Sequence, residues 1–180
     1  MAEAVTLGAV EGLSVTLTRA VGAATLRYLS ATGEFAARLA RAGHALPPPG
    51  AARQVGALLL ASVRPSEALC IAVVPAALPA LLELGEADDG CLIELTGALD
   101  LLWLEGTRGA ELLARLGGQG ITPALGEARR SRMADVPVLA LAPARAACWL
   151  LVERTYTEHL SGWIVATLAD LPPPSDGARA

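Results

Sequence analysis

The sequence predicts an α+β fold, a tandem of two β-β-α-β-β-α units within one domain. Two observations carry that prediction. Short runs in which apolar and polar residues alternate, as on a half-buried strand, are separated by stretches with apolar residues at helical spacing. The order of these elements then recurs. Ala37, Arg38 and Leu39 in one helix answer Ala114, Arg115 and Leu116 in a later one, and Cys70 and Cys148 occupy similar places in two late strands. A length of 180 residues suits a single domain over 1–180, with pseudo-repeats at about 12–85 and 91–170 and a flexible tail at 171–180.

Leu13, Val15 and Leu17 alternate with Ser14, Thr16 and Thr18, which gives the first strand. Residues 24–29 form the second. Phe35, Leu39 and Ala42 fall at helical spacing, so 34–42 is a helix, stopped by Gly43 and by the loop of Pro47, Pro48 and Pro49. Residues 57–62 and 68–74 are apolar runs around Arg64, Pro65 and Ser66, the pattern of a hairpin. A helix at 75–84 opens on Pro75, where a missing N–H costs little. The second unit reads as strands at 91–96 and 99–105, a helix at 108–116, strands at 136–142 and 147–153, and a closing helix at 156–168. The acidic, turn-rich segment from Gly85 to Gly90 links the units and is too short to let them move independently.

Apolar residues make up 53% of the chain, charged ones 18% and aromatic ones 3%, so the surplus over an ordinary soluble domain is Ala, Leu and Val. That surplus either fills a tight core or forms a face kept dry by partner subunits. Pro, Arg, Glu and Gly interrupt every apolar stretch before the roughly 18–20 residues of a membrane span. Residues 1–10 carry no basic region of the secretory kind. The expectation is a cytoplasmic protein with no membrane association. A net charge of −4 argues against neutralising nucleic-acid phosphates. The chain has Arg but no Lys, which excludes a Schiff-base or P-loop lysine within it.

No segment has the pattern of a catalytic or metal-binding motif. Cys70, Cys91 and Cys148 are odd in number and widely spaced in apolar surroundings, which fits buried thiols better than a disulfide framework or a CxxC site. His44 follows a helix end, where a contact with the helix dipole is the ordinary role. His159 and Glu158 are adjacent on a helix and so point apart. No G-x-S-x-G elbow or phosphate-binding glycine loop occurs, and Gly117, Gly118 and Gly120 close a helix instead of opening one. Glu86, Asp88 and Asp89 lack the spacing of a calcium loop and read as a turn. Arg129, Arg130 and Arg132 form the sharpest basic cluster, in a segment expected to be a solvated loop, and offer bidentate contacts to an anionic ligand tail or an acidic partner. Trp103 and Trp149 lie in apolar strands and are expected in the core, whereas Trp163 is a candidate for partner contact.

Taken in order, these segments resemble the gamma subunit family of heterotetrameric sarcosine oxidase over residues 24–168. The family shows Leu-Pro after a helix, then a strand and a Gly-Pro-Asp-Glu-Trp-Leu turn. Here Leu46 and Pro47 precede the strand at 57–62 and the turn reads Arg64, Pro65, Ser66, Glu67, Ala68 and Leu69, so Pro65, Glu67 and Leu69 keep the pattern. The family closes with a strand, Arg-Ser-Phe, and a helix carrying a Leu and a Trp-Leu pair, matched here by Arg154, Thr155, Tyr156, Leu160, Trp163 and Ile164. Residues 126–136 are similar to the family's Gly-rich, Gln-Thr-containing loop, with Ser131 near the Thr, while 117–123 replace its Cys-Pro-Leu-Asp segment.

The resemblance implies a fold like the folate-binding module of aminomethyltransferases, in a structural and assembly subunit that binds no cofactor or metal and has no catalytic residue of its own. It implies larger flavoprotein subunits and a small zinc-binding subunit as partners, which hold FAD, FMN, NAD, zinc and tetrahydrofolate and oxidatively demethylate sarcosine or a related N-methyl amino acid. Arg154, Tyr156, Leu160 and Trp163 are then the interface candidates, and Arg129, Arg130 and Arg132 the anion-contact candidates. The other reading is a stand-alone tetrahydrofolate-binding module or one-carbon transferase, in which those three arginines hold the folate glutamate tail.

Overall fold

The computed structural model describes residues 4–72, 74–118 and 120–173. Its elements are β1 (Ala4–Val10), β2 (Leu13–Thr18), β3 (Gly22–Tyr28), α1 (Glu34–Arg41), β4 (Ala52–Val55), β5 (Leu58–Arg64), β6 (Glu67–Ala72), α2 (Leu78–Leu82), β7 (Gly90–Glu94), β8 (Leu99–Glu105), α3 (Gly109–Gly117), β9 (Ala128–Met133), β10 (Val136–Ala144), β11 (Ala147–Glu153) and α4 (Thr157–Ala169). Short 3₁₀ turns at Pro75–Ala77 and Arg154–Tyr156 lead into α2 and α4.

The fold is mixed α+β, but the β-β-α-β-β-α unit expected from the sequence is not reproduced as drawn. Three strands, not two, follow the first helix of each half, the added ones being β4 and β9, and β1 precedes the first unit. β9 holds the arginines expected in a loop. Ala128 and Met133 are buried at its ends while the side chains between are half-buried or exposed, so its hydropathy carries no two-residue period. The expected tail at 171–180 begins with Leu171 packed into the core, and 174–180 lie outside the described residues.

All strand pairs are antiparallel, in two sheets of order β1-β2-β8-β11-β10-β9 and β4-β5-β6-β3-β7. The halves exchange strands: β2 pairs with β8 in the second half's sheet, and β7 pairs with β3 in the first half's sheet.

The sheets pack face to face with helices on the outside. Leu59, Leu69 and Ile71 of one sheet meet Leu139, Trp149 and Leu151 of the other. The alternate residues point outward, Leu58, Leu60 and Cys70 toward α1 and α2, and Val138, Cys148 and Leu150 toward α3 and α4. A strand covered on both faces is apolar at every position. Much of the Ala, Leu and Val surplus is therefore core.

The linker is built into the fold. α1 starts after Gly33, whose side supplies no cap, and Asp89 from the linker accepts the Phe35 N–H at 2.9 Å instead. A Cβ on Gly33 would stand 1.8 Å from Asp89 Oδ2, so the cap requires glycine there. At the other end Gly43 takes φ +87°, its N–H donating to Ala40 O at 3.0 Å while the His44 N–H donates to Leu39 O at 2.8 Å, a Schellman motif. Arg38 donates to Leu84 O at 2.9 Å and Glu86 O at 2.8 Å, beyond α2. Its counterpart Arg115 reaches Asp170 O, beyond α4, at 3.5 Å.

Candidate functional site

α4 follows β11 through the turn at Arg154–Tyr156, where the Arg154 N–H donates to Ala98 O at 3.0 Å. Its first residue, Thr157, is fully buried and donates its hydroxyl to Asp100 Oδ2 at 2.8 Å. Asp100, equally buried on β8, also accepts the Ala20 N–H at 2.7 Å. Arg19 Nη1 lies 3.9 Å from the same carboxylate, and Arg19 bonds Glu158 on α4. A buried carboxylate is costly unless its oxygens are satisfied. Here it fastens the corner between β2 and β3 to the first turn of α4 and so sets how that helix lies.

Held this way, α4 turns Leu160, Ser161, Ile164 and Leu168 into the core. Its outward residues Gly162, Trp163, Val165 and Ala166 are also apolar or small, and all are exposed. Trp163 is 53% exposed and Val165 46%. Beyond the first turn, where Glu158 and His159 are exposed, the outward side of the helix is thus apolar, and an apolar stretch lying on a surface marks that surface for a partner.

Among the sequence-derived interface candidates, Trp163 and Tyr156 are on the surface, Tyr156 being 41% exposed. Arg154 is exposed, with Nη1 3.5 Å from Gly97 O. Leu160 has no exposed surface: it sits on the inward stripe with Thr157 and Ile164 and packs in the core, not at an interface.

Arg129, Arg130 and Arg132 project from β9, and strand alternation divides them, Arg129 to one face and the other two to the opposite face. Arg130 stands opposite Leu139 in the register, and its Nη2 reaches Glu67 Oε1 of the other sheet at 2.8 Å. Glu67 also lies 3.8 Å from Arg27. Glu67 and Arg130 help line a cleft of 220 Å³ between the sheets, together with Leu69, Leu99, Leu151 and Glu153. Arg129 donates to Glu127 Oε1 through Nε at 3.0 Å and Nη2 at 2.7 Å, and also bonds Gly120 O. The Ala124 N–H on Glu127, followed by Arg129, holds the Glu127 carboxyl below the usual range. Arg132 donates to Asp135 O in the turn before β10.

The remaining reactive groups serve packing. Burial pushes the thiols of Cys70 and Cys148 up to about 12, which keeps them protonated and unreactive. Cys91 is half-buried. His159 Nε2 lies 3.1 Å from Ala134 O and not against Glu158. Trp149 and the partly buried Trp103 meet between the sheets with ring centroids 4.3 Å apart and planes tilted by 49°. Among the described residues no group of three or more His, Cys, Asp or Glu is placed to hold a metal, and no helix is long and apolar enough to cross a membrane. Sequence reasoning missed Asp100 and the capping role of Asp89. A lone acid inside the apolar run Ala98 to Leu104 was the available signal for the former.

No family model matches the chain, and no curated protein matches it by sequence. Among solved structures, it is similar to a chain of heterotetrameric sarcosine oxidase from Corynebacterium sp. U-96, solved in complex with pyrrole 2-carboxylate. The TM-score is 0.76 at 24% identity, over 90% of this chain and 87% of that one. It is also similar to glycine cleavage system aminomethyltransferase T from Bartonella henselae, with a TM-score of 0.62 and 13% identity over 81% of this chain and 43% of that one. The fold is thus the one these two proteins share.

Proposed function

We propose that the chain is a structural and assembly subunit, gamma-like, of a flavin-dependent complex that oxidises sarcosine or a related N-methyl amino acid. The observation that carries this reading is α4, apolar toward solvent at Trp163 and Val165 while its other side is core. The likeness to a sarcosine oxidase chain over most of both lengths supports it. So does the sequence resemblance through Arg154, Tyr156, Trp163 and Ile164. In this reading FAD, FMN, NAD, zinc and tetrahydrofolate belong to the larger flavoprotein subunits and a small zinc-binding subunit, in the cytoplasm. The chain itself is one domain of two pseudo-repeats, a reading supported by the exchanged strands and the matching contacts of Arg38 and Arg115. A stand-alone tetrahydrofolate module has less support, because Arg129, Arg130 and Arg132 each have a protein acceptor and do not converge.

The test is co-expression with the flavin-bearing subunits encoded beside it, followed by size exclusion with flavin absorbance recorded. Co-elution in a yellow complex is the expected result. A colourless monomer eluting apart overturns the reading.

A further inference from the structure

We infer that the cleft between the two sheets binds a small α-amino acid with an aliphatic side chain, its carboxylate on Arg130 and its ammonium on Glu153. The site stands on the geometry of this chain alone and does not depend on the proposed assembly role.

Strand alternation builds the cleft from two kinds of residue. Leu69, Leu139 and Leu151 point between the sheets and are at most 9% exposed, and the partly buried Leu95 and Leu99 pack with them. Glu67, Arg130 and Glu153 continue the same inward-facing rows toward the rim. Glu67 lies two residues before Leu69, Glu153 two after Leu151, and Arg130 stands opposite Leu139. A floor of five leucine side chains offers an ordered water no hydrogen bond, so it suits an aliphatic group. The 220 Å³ of the cleft falls below the roughly 300–1,000 Å³ of pockets for drug-sized ligands, which limits the occupant to about the size of one amino acid.

The charges at the rim select a zwitterion. Arg130 Nη2 donates to Glu67 Oε1 at 2.8 Å and Glu67 Oε2 lies 3.8 Å from Arg27, so one carboxylate is shared by two arginines and a positive charge is left over. The Arg130 side chain is 54% exposed, and its Nε and Nη1 have no acceptor among the described residues, so it keeps donors for a ligand carboxylate. The Glu153 carboxylate has no partner among the described residues and brings a negative charge to the same cleft. β9 and β11 flank β10, which sets their backbones about 10 Å apart across the sheet. The long side chains of Arg130 and Glu153 can therefore meet the two charged groups of one small molecule. A simple anion would face Glu153 as a like charge, and a simple amine would face Arg130 in the same way.

The experiment titrates the full chain with L-valine and follows the methyl resonances of Leu139 and Leu151 by NMR. Saturable shifts at millimolar valine are expected, while Leu112 and Leu113, which pack on the far side of the sheet, do not move. Isovalerate, which lacks the ammonium, and isobutylamine, which lacks the carboxylate, are each expected to bind about tenfold more weakly or not at all. Arg130→Gln and Glu153→Gln are expected to weaken valine binding by a similar factor. Both positions are exposed, so the folded spectrum should persist in each variant. Absence of a saturable shift with valine overturns the inference, and an analogue that binds as tightly as valine overturns the zwitterion assignment. Unchanged valine affinity in both variants overturns the placement of the two charges. No flavoprotein takes part, so a negative result here leaves the assembly reading to its own co-elution test.

Discussion

The Thr157 hydroxyl donates to Asp100 across 2.8 Å, and neither residue has any exposed surface. This bond joins β8 to the start of α4 and thereby decides which side of the helix faces out. Asp100→Ala strands both the Ala20 N–H and the Thr157 hydroxyl, each at a cost of about 1–3 kcal/mol. Thr157→Val removes only one donor. Urea unfolding should show a larger loss of midpoint for Asp100→Ala than for Thr157→Val, and equal losses would contradict the shared role of the carboxylate.

Gly33 and Asp89 act as one unit, since a Cβ on the first collides with the carboxylate of the second. Asp89→Ala should cost about 1 kcal/mol through the lost cap of α1. Gly33→Ala should cost at least a similar amount by displacing the same carboxylate. In the double variant the collision is gone, so the losses should sum to less than the two single values, a coupling that a thermodynamic cycle measures directly.

The cysteines should separate by reactivity. With a thiol reagent near neutral pH, Cys91 should react in the folded chain while Cys70 and Cys148 react only after unfolding. The two buried thiols also give a pH dependence. Their folded values of about 12 lie above the ordinary 9.0, so the folded state holds protons that the unfolded chain has lost. The stability tied to these thiols is fully present below about pH 9 and is lost as pH rises toward 12. Replacing both with Ala should flatten that decline in alkaline unfolding curves.

Because β2 and β7 lie in the sheets of the opposite halves, neither half expressed alone should unfold cooperatively. Mixing the two halves should restore antiparallel sheet by circular dichroism. A half that folds by itself would show that the exchange is dispensable.

Much of this architecture was legible from local pattern. Leu13, Val15 and Leu17 alternate because β2 is buried on one face. Phe35 and Leu39 mark the inner side of α1, and Trp149 and Trp163 fall in the core and on the surface respectively, as their surroundings implied. What escaped was edge and distance. β1 lies at a rim with both faces partly open, and β9 carries polar side chains on both faces between Ala128 and Met133, so neither has a hydropathy period to read. Asp89 caps Phe35, and Asp100 holds Thr157, across more than fifty residues of chain, so no local signal announces either contact. Leu160 and Trp163 stand three residues apart in the segment that carries the resemblance, yet the helix turns one inward and the other out.

The assembly role is tested most directly by comparing the wild-type chain with a Trp163→Glu, Val165→Glu double variant, each co-expressed with the flavin-bearing subunits. Both substitutions fall on exposed positions, so the unfolding midpoint should stay close to that of the wild type. The account predicts that the wild type elutes with the flavin and that the double variant elutes apart, folded and colourless. A double variant that travels in the yellow complex as the wild type does would contradict the assignment of α4 as the docking face.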